Sequence, residues 1–575
     1  MEQTIQNQID QWLNGNYDEA TKSEIRRLMR ENPEELRDAF YKDLEFGTGG
    51  LRGIMGVGCN RMNRYTVANA TQGLANFLKI NFPNEPIKVV VAYDSRNNSR
   101  QFADITADVL SANGIFCYLF DSLRPTPELS FAVRHLHCHA GVVITASHNP
   151  KEYNGYKAYW QDGGQLVPPY DHQVIDEVAK VIQSRKVLLN RNPELVKFIN
   201  KEVDTPYLEH IAALSLNPQA IQQAENFKIV YTPLHGTGIT MVPRALEMFG
   251  FKNVHIVAEQ STPDGNFPTV VSPNPEEKTA LTIALKQAEE TGADLILATD
   301  PDADRVAIAA RNNHGKMELL NGNMTGSLLM HYLLSQWKAH NKLTGKEFMV
   351  KTIVTTELIK DMATHYDVEC YDVLTGFKYI AKKIKELEGK KLFIGGGEES
   401  CGYLVGDFVR DKDSVSSCCM IAEMAATCYN EGKTLFDLLA DIYRQYGFYK
   451  EDLLSITKKG ISGKEEINAM MEKFRTNPPK EINGSPVIKI NDFKLRKSHD
   501  LLQKTDTPLT LPVSDVLQFF TADGSKITVR PSGTEPKIKF YFGVKEAFGV
   551  KDDFEQTSER LSAKIQNIIH DMGLK

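Results

Sequence analysis

No stretch of this 575-residue chain approaches the ~20 consecutive apolar residues that a bilayer-spanning helix needs. The first residues, 1–14, lack the basic start and unbroken apolar core of a secretion signal. Cysteine is sparse. Its eight residues are scattered and include the neighbours Cys418 and Cys419, which excludes a disulfide framework and reads as reduced thiols in a cytoplasmic protein. Positive charge is not in excess either. Lys and Arg number 67 against 74 Asp and Glu, a net charge of -7, so neither nucleic acid nor an acidic membrane is an expected partner. Any anion must be held by a local cluster of cations. What remains is ordinary for a globular enzyme, with 42% hydrophobic and 25% charged residues, and the length divides into roughly three to five domains. His135, His137, Cys138 and His139 carry zinc-ligand chemistry. Alternate or adjacent residues on one short segment do not readily close a tetrahedral site, so they read as helix-end packing.

The chain repeats a pattern. Residues 1–45 read as two amphipathic helices, with Trp12, Leu13, Ile25, Leu28 and Met29 on the apolar side. Strand-like runs then alternate with helical stretches in three similar units. The runs are 87–92, 114–120 and 140–145; then 228–231, 254–258 and 293–298; then 348–354, 368–373 and 391–394. Each unit ends in a polar loop: 146–150, 299–305 and 395–400. Ligand groups gather at the carboxyl ends of strands in such α/β units, so the three loops are expected to line one central cleft. The predicted fold is therefore α/β, three similar domains with mixed sheets, plus a smaller α+β C-terminal domain with a hairpin at 527–530 and 538–542 and a closing helix at 554–572. The expected boundaries are 1–210, 211–325, 326–446 and 447–575.

Three loops carry pointed chemistry. Asp300, Asp302 and Asp304 alternate ahead of Arg305, and three converging carboxylates suit a hard cation such as magnesium. An EF-hand is excluded, because Arg305 and Arg311 occupy the positions where it needs Gly and Glu. Thr145-Ala-Ser147-His148-Asn149-Pro150 sets a hydroxyl, an imidazole and an amide together at a strand end. The segment reads either as a hydrogen-bonded turn or as a phosphate-carrying serine with a proton-handling histidine. Arg530-Pro-Ser532-Gly533-Thr534 offers a guanidinium, two hydroxyls and exposed backbone N–H groups, which is what a phosphate monoester requires. On the strand that follows, Lys537, Lys539 and Tyr541 share one face.

Together with Gly47-Thr48-Gly-Gly-Leu-Arg52-Gly and Gly397-Glu398-Glu-Ser400, these loops make five motifs in one order. In that order they resemble the α-D-phosphohexomutase superfamily, the phosphoglucomutase and phosphomannomutase family, over residues 46–541. Residues 46–55, Thr375-Gly-Phe-Lys378 and 532–541 look most like the branch containing eukaryotic-type phosphopentomutases and their bacterial relatives. The resemblance implies that Ser147 is the phosphoserine and that its phosphate, with Asp300, Asp302 and Asp304, holds Mg2+. It places Thr48, Arg52 and Arg305 beside that phosphate, and links His148, Lys157 and Lys412 to proton transfer or substrate contact. Glu398 and Ser400 would bind sugar hydroxyls, with Thr375 and Gly376 below the sugar. Arg530, Ser532, Gly533 and Thr534 would hold the distal phosphate. The sequence departs from many relatives in carrying Lys537 and Lys539 where they carry a single later Arg, so Lys539 is a candidate second cation.

The activity so implied is interconversion of hexose 1-phosphate and hexose 6-phosphate, glucose and mannose alike, with a sugar 1,6-bisphosphate as intermediate and activator. The alternatives that stay open are a phosphopentomutase, a sugar-bisphosphate synthase and a non-catalytic phosphosugar-binding relative. The sequence does not speak to oligomeric state.

Overall fold

The computed structural model describes residues 2–46, 50–458, 460–532 and 537–574. Its contacts divide the chain into two compact units. The first comprises Met1–Gly322, Phe377–Gly396 and Ser400–Gly432; the second comprises Asn323–Gly376, Gly397–Glu399 and Lys433–Lys575.

The first unit opens with three helices, Glu2–Asn14, Glu19–Glu31 and Pro33–Phe40, where the apolar periodicity suggests two. The break falls at Asn32, whose side chain accepts a hydrogen bond from Glu35 N while Pro33 starts the next helix. Ile9, Trp12, Ile25, Leu28, Leu36 and Phe40 close a small core of their own.

Two mixed sheets follow. In the larger, the strands Lys88–Tyr93, Phe116–Phe120, Ala140–Ile144 and Val196–Ile199 run parallel. Tyr153–Trp160 and then Gly50–Ile54 add antiparallel on one side. This register puts Arg52 opposite Gly155 and Lys157 opposite both Gly50 and Val143. The second sheet orders Met317–Leu320, Val306–Arg311, Leu295–Thr299, Ile229–Thr232 and Val254–Ile256, the last three parallel. Strand Leu295–Thr299 is buried at every residue, as a strand covered on both faces must be, which explains its unbroken apolar run.

In the second unit, Glu347–Thr352 and Glu369–Val373 pair in parallel. The C-terminal part is an eight-stranded antiparallel sheet with helices Gly460–Thr476 and Phe554–Asp571. Strands Lys526–Pro531 and Lys537–Glu546 form the expected hairpin, with Arg530 directly opposite Lys539. Ile538, Phe540 and Phe542 enter the core, as their alternation requires. One expectation fails locally. Residues 395–398 do not form a loop but complete strand Leu392–Glu398, which is buried from Phe393 onward. The His135–His139 cluster is packing: His139 Nδ1 accepts from Lys88 N, and burial pushes the Cys138 thiol up to about 12. Among the described residues no helix is long and apolar enough to cross a membrane.

Candidate active site

In the first unit the loops after strands Ala140–Ile144 and Leu295–Thr299 meet. Ser147 is buried with φ 54°, the left-handed region that costs a side-chain-bearing residue energy and often marks a functional position. Its N–H donates to Thr145 Oγ1 at 2.9 Å. Its Oγ–H donates to Asp300 Oδ2 at 2.8 Å, with His148 Nδ1 3.2 Å away on the other side. Burial and the charges of Arg305 and Arg52 push the His148 imidazole well below its ordinary range, so it stays neutral.

Asp300, Asp302 and Asp304 are all buried, each offering a carboxylate oxygen within 4.8 Å of the others. Asp300 Oδ1 accepts from the N–H groups of Asp304 and Arg305, which folds the loop back on itself. Burial first, then Asp302 and Asp304, push the Asp300 carboxyl well above the ordinary range. Against the same burial, the ammoniums of Lys157 and Lys412 hold Asp304 well below it. Lys157 Nζ lies 2.7 Å from Asp302 Oδ2 and 3.1 Å from Asp304 Oδ2; Lys412 Nζ lies 3.1 Å from Asp304 Oδ2. Among the described residues the buried atoms Asp302 Oδ1 and Asp304 Oδ1 have no hydrogen-bond partner, Asp304 Oδ1 facing Arg305 Nε at 3.9 Å. Orphaned carboxylate oxygens are costly unless something positive meets them, so the three aspartates fit a divalent cation with oxygen ligands.

Arg52 donates to Asn149 Oδ1 at 3.3 Å, and Arg305 donates to Glu276 Oε1 at 2.9 Å and to the Ser400 carbonyl at 3.3 Å. The structure thus brings Arg52, Ser147, His148, Lys157, the three aspartates, Arg305, Ser400 and Lys412 into one neighbourhood. Thr126, which drew no attention in the sequence, belongs there too. Its Oγ1 donates to Asp302 Oδ2 at 2.9 Å and its N–H to the Asp302 carbonyl.

The second unit carries another group. Gly376 N donates to Glu398 Oε1 at 2.9 Å, and Thr375 Oγ1 is buried without a hydrogen-bond partner among the described residues. Lys539 bears electrostatically on Glu399, and Tyr541 feels Glu399, Arg530 and Glu398. Burial pushes the Tyr541 phenol up to about 12 and the Glu399 carboxyl up to about 7. Ser532 N donates to the Lys537 carbonyl at 2.7 Å. Thr48, Gly533 and Thr534 lie outside the described residues.

Four family models match in succession, described as phosphoglucomutase/phosphomannomutase alpha/beta/alpha domains I, II and III and C-terminal domain. They cover residues 43–185, 205–315, 321–446 and 479–556. A Staphylococcus aureus protein (strain bovine RF122 / ET3-1) named phosphoglucomutase is 40% identical over 534 residues, 92% of this chain and 94% of that one. One of the same name from Staphylococcus haemolyticus is 39% identical over 525 residues, 90% and 93% of the two chains. Among solved structures, parafusin (phosphoglucomutase) from Paramecium superposes with TM-score 0.66 at 18% identity, covering 92% of this chain and 96% of its own. A phosphoglucomutase/phosphomannomutase family protein from Burkholderia thailandensis gives 0.64 at 17% identity, with 92% and 97% covered. These last two bear on the fold alone. The chain belongs to the phosphoglucomutase/phosphomannomutase family, within the α-D-phosphohexomutase superfamily. It is an enzyme, an isomerase that moves a phosphoryl group within a sugar phosphate.

Proposed function

We propose that this enzyme is a magnesium-dependent phosphoglucomutase that also accepts mannose phosphates, working through a phosphorylated Ser147 and a sugar 1,6-bisphosphate. The observation that carries the reading is the 2.8 Å hydrogen bond from Ser147 Oγ to Asp300, which sets a nucleophilic oxygen against a cluster of three carboxylates. The phosphoglucomutase names of relatives about 40% identical support glucose as the sugar.

In this reading the parts 1–210, 211–325, 326–446 and 447–575 contribute the phosphoserine, the metal loop, the sugar contacts and the distal phosphate clamp respectively. Asp300, Asp302 and Asp304, with the Ser147 phosphate, hold Mg2+, which when bound neutralises charge on the transferring phosphoryl oxygens. The sugar hydroxyl forms a new O–P bond as the Ser147 Oγ–P bond breaks; the hydroxyl proton passes to a base of the site and the departing Ser147 Oγ takes up a proton. The bisphosphate turns end for end and its other phosphate returns to Ser147. In that return Ser147 Oγ forms the new O–P bond as the sugar O–P bond breaks, the serine proton passing to His148 beside Oγ and the freed sugar oxygen taking up a proton. Arg52, Arg305, Lys157 and Lys412 offset the phosphate charge, with Thr48 alongside. Glu398 and Ser400 bind the 3- and 4-hydroxyls, which lie alike in glucose and mannose, over a floor of Thr375 and Gly376. Arg530, Ser532, Gly533 and Thr534 grip the distal phosphate, with Lys539 as second cation.

The test compares kcat/KM for glucose 1-phosphate, mannose 1-phosphate and ribose 1-phosphate, with catalytic glucose 1,6-bisphosphate and no acyl phosphate. The hexoses are expected to win. Ribose 1-phosphate ahead by about tenfold, roughly 1.4 kcal/mol in the transition state, would overturn the hexose reading. Turnover only on adding an acyl phosphate would make the protein a bisphosphate synthase instead.

A further inference from the structure

Arg96 belongs to none of the motifs that single out the site, yet its side chain is enclosed and points at the serine loop. It follows strand Lys88–Tyr93, the neighbour of the strand that delivers Ser147. One terminal nitrogen donates to the Ser147 carbonyl at 2.6 Å and to the Asn149 carbonyl. The other donates to the Pro150 carbonyl at 2.9 Å and the Tyr153 carbonyl at 3.0 Å. One guanidinium therefore ties four carbonyls between residues 147 and 153. The remaining edge is held by Asp94, whose Oδ2 lies 3.4 Å from Arg96 Nε and whose Oδ1 accepts from Arg96 N and Ser99 Oγ.

The strut is braced from the second sheet's side as well. The Phe267 ring lies 5.1 Å from the guanidinium. Asn97 Nδ2 donates to Asn266 Oδ1 at 3.0 Å. Gly265 packs so tightly that a Cβ there would come within 2.2 Å of Asn97 N. A buried arginine present only for stability needs a carboxylate partner, and Asp94 satisfies that. It does not need every terminal N–H aimed at one short segment. Those bonds act on the stretch whose first residue holds the unfavourable φ of 54°. A planar fork can do this where a single ammonium cannot.

We infer that Arg96 is a positioning residue for phosphoryl transfer, locking the backbone of residues 147–153 so that Ser147 Oγ is aimed at the Asp300 loop. The inference rests on the proposed role of Ser147 as phosphate carrier. Phosphoryl transfer depends on placement, and a shift on the order of 1 Å costs about 100-fold in rate.

The test is the single-turnover rate constant for transfer from phosphorylated enzyme to glucose 1-phosphate, which is independent of how much protein is folded. In Arg96→Lys it should fall about 100-fold, with the KM for glucose 1-phosphate little changed. In Arg96→Ala, millimolar guanidinium should restore part of the rate. A rate constant near wild type in folded Arg96→Lys would overturn the inference, as would a loss in steady-state turnover explained entirely by unfolded chains. Should Arg96→Lys fail to fold, Asp94→Asn carries the test. It keeps an acceptor for Arg96 N and Ser99 Oγ and removes the charge facing the guanidinium, so an unchanged rate constant there would overturn the inference too. Ser147→Ala separates the two levels. If that variant turns over normally, the phosphoserine reading itself falls. If it is inactive while Arg96→Lys transfers phosphate at the normal rate, only the role of Arg96 falls.

Discussion

Ser147 Oγ and Asp300 Oδ2, 153 positions apart in the chain, are joined by a 2.8 Å hydrogen bond inside the first unit. The bond unites the loops at the ends of strands from two separate sheets. A hydroxyl that donates to a carboxylate is held in one direction, which is what a group that receives and returns phosphate requires. Its environment also contains a neutral imidazole and two buried ammoniums.

Replacing Ser147 by Ala should abolish mutase turnover and the uptake of phosphate from labelled glucose 1,6-bisphosphate. Thermal unfolding should move by only ~1–3 kcal/mol equivalent, the cost of leaving the buried Asp300 Oδ2 without that donor while Oδ1 keeps the N–H groups of Asp304 and Arg305. Turnover close to wild type would remove Ser147 from its proposed role.

Asp302→Asn and Asp304→Asn should each lower kcat far more than they raise the KM for glucose 1-phosphate, since the carboxylates act on the reacting phosphoryl group and not on the sugar. Chelator should stop the wild-type enzyme and Mg2+ restore it. Calorimetric titration with Mg2+ should show weaker binding in both variants. Binding unaltered by either change would place the cation elsewhere.

Arg530→Ala should raise the KM for glucose 1-phosphate by about 10-fold or more, the equivalent of losing one charge-assisted hydrogen bond of ~1.5–3 kcal/mol. Arg530 stands opposite Lys539 on the hairpin and bears on Tyr541, so the variant keeps the strand pairing intact. An unchanged KM with an unchanged kcat would exclude the hairpin from substrate binding.

Glu399 supplies a pH dependence. Its carboxyl is pushed up from 4.5 to about 7 by burial, then by Glu398; a backbone N–H hydrogen bond, the Thr355 hydroxyl that donates to it and the nearby Lys539 oppose the shift only in part. The folded protein therefore holds this proton more tightly than the unfolded chain does. The contribution of Glu399 to stability is full below about pH 4.5, falls as pH rises towards 7, and is flat above that. Glu399→Gln removes the titration, so its unfolding midpoint relative to wild type should be higher at pH 8 than at pH 5. An equal difference at the two pH values would show that Glu399 is ionised throughout.

Much of the site was legible in the linear chain because its chemistry is local. Asp300, Asp302 and Asp304 alternate within five residues, so spacing alone marks them as cation-ligand candidates, whereas the Ser147–His148 loop reads equally as a turn and its role came only from the family resemblance. Strand-to-helix alternation likewise disclosed the α/β class, since the period of apolar residues is set by backbone geometry. The third helix at Pro33 and the strand through residues 395–398 were harder to read. Asparagine, proline and glycine serve loops and element ends alike, and only packing decides between them. Tertiary structure alone could assign Arg96 and Thr126. An arginine or a threonine in an ordinary loop carries no signature of its partners. Its meaning comes from which carbonyls or carboxylates stand within about 3 Å once the sheets have formed. Covalent order determined which groups this protein can use. Burial decided which of them meet, and how strongly their charges act on one another, because both distance and dielectric are properties of the fold.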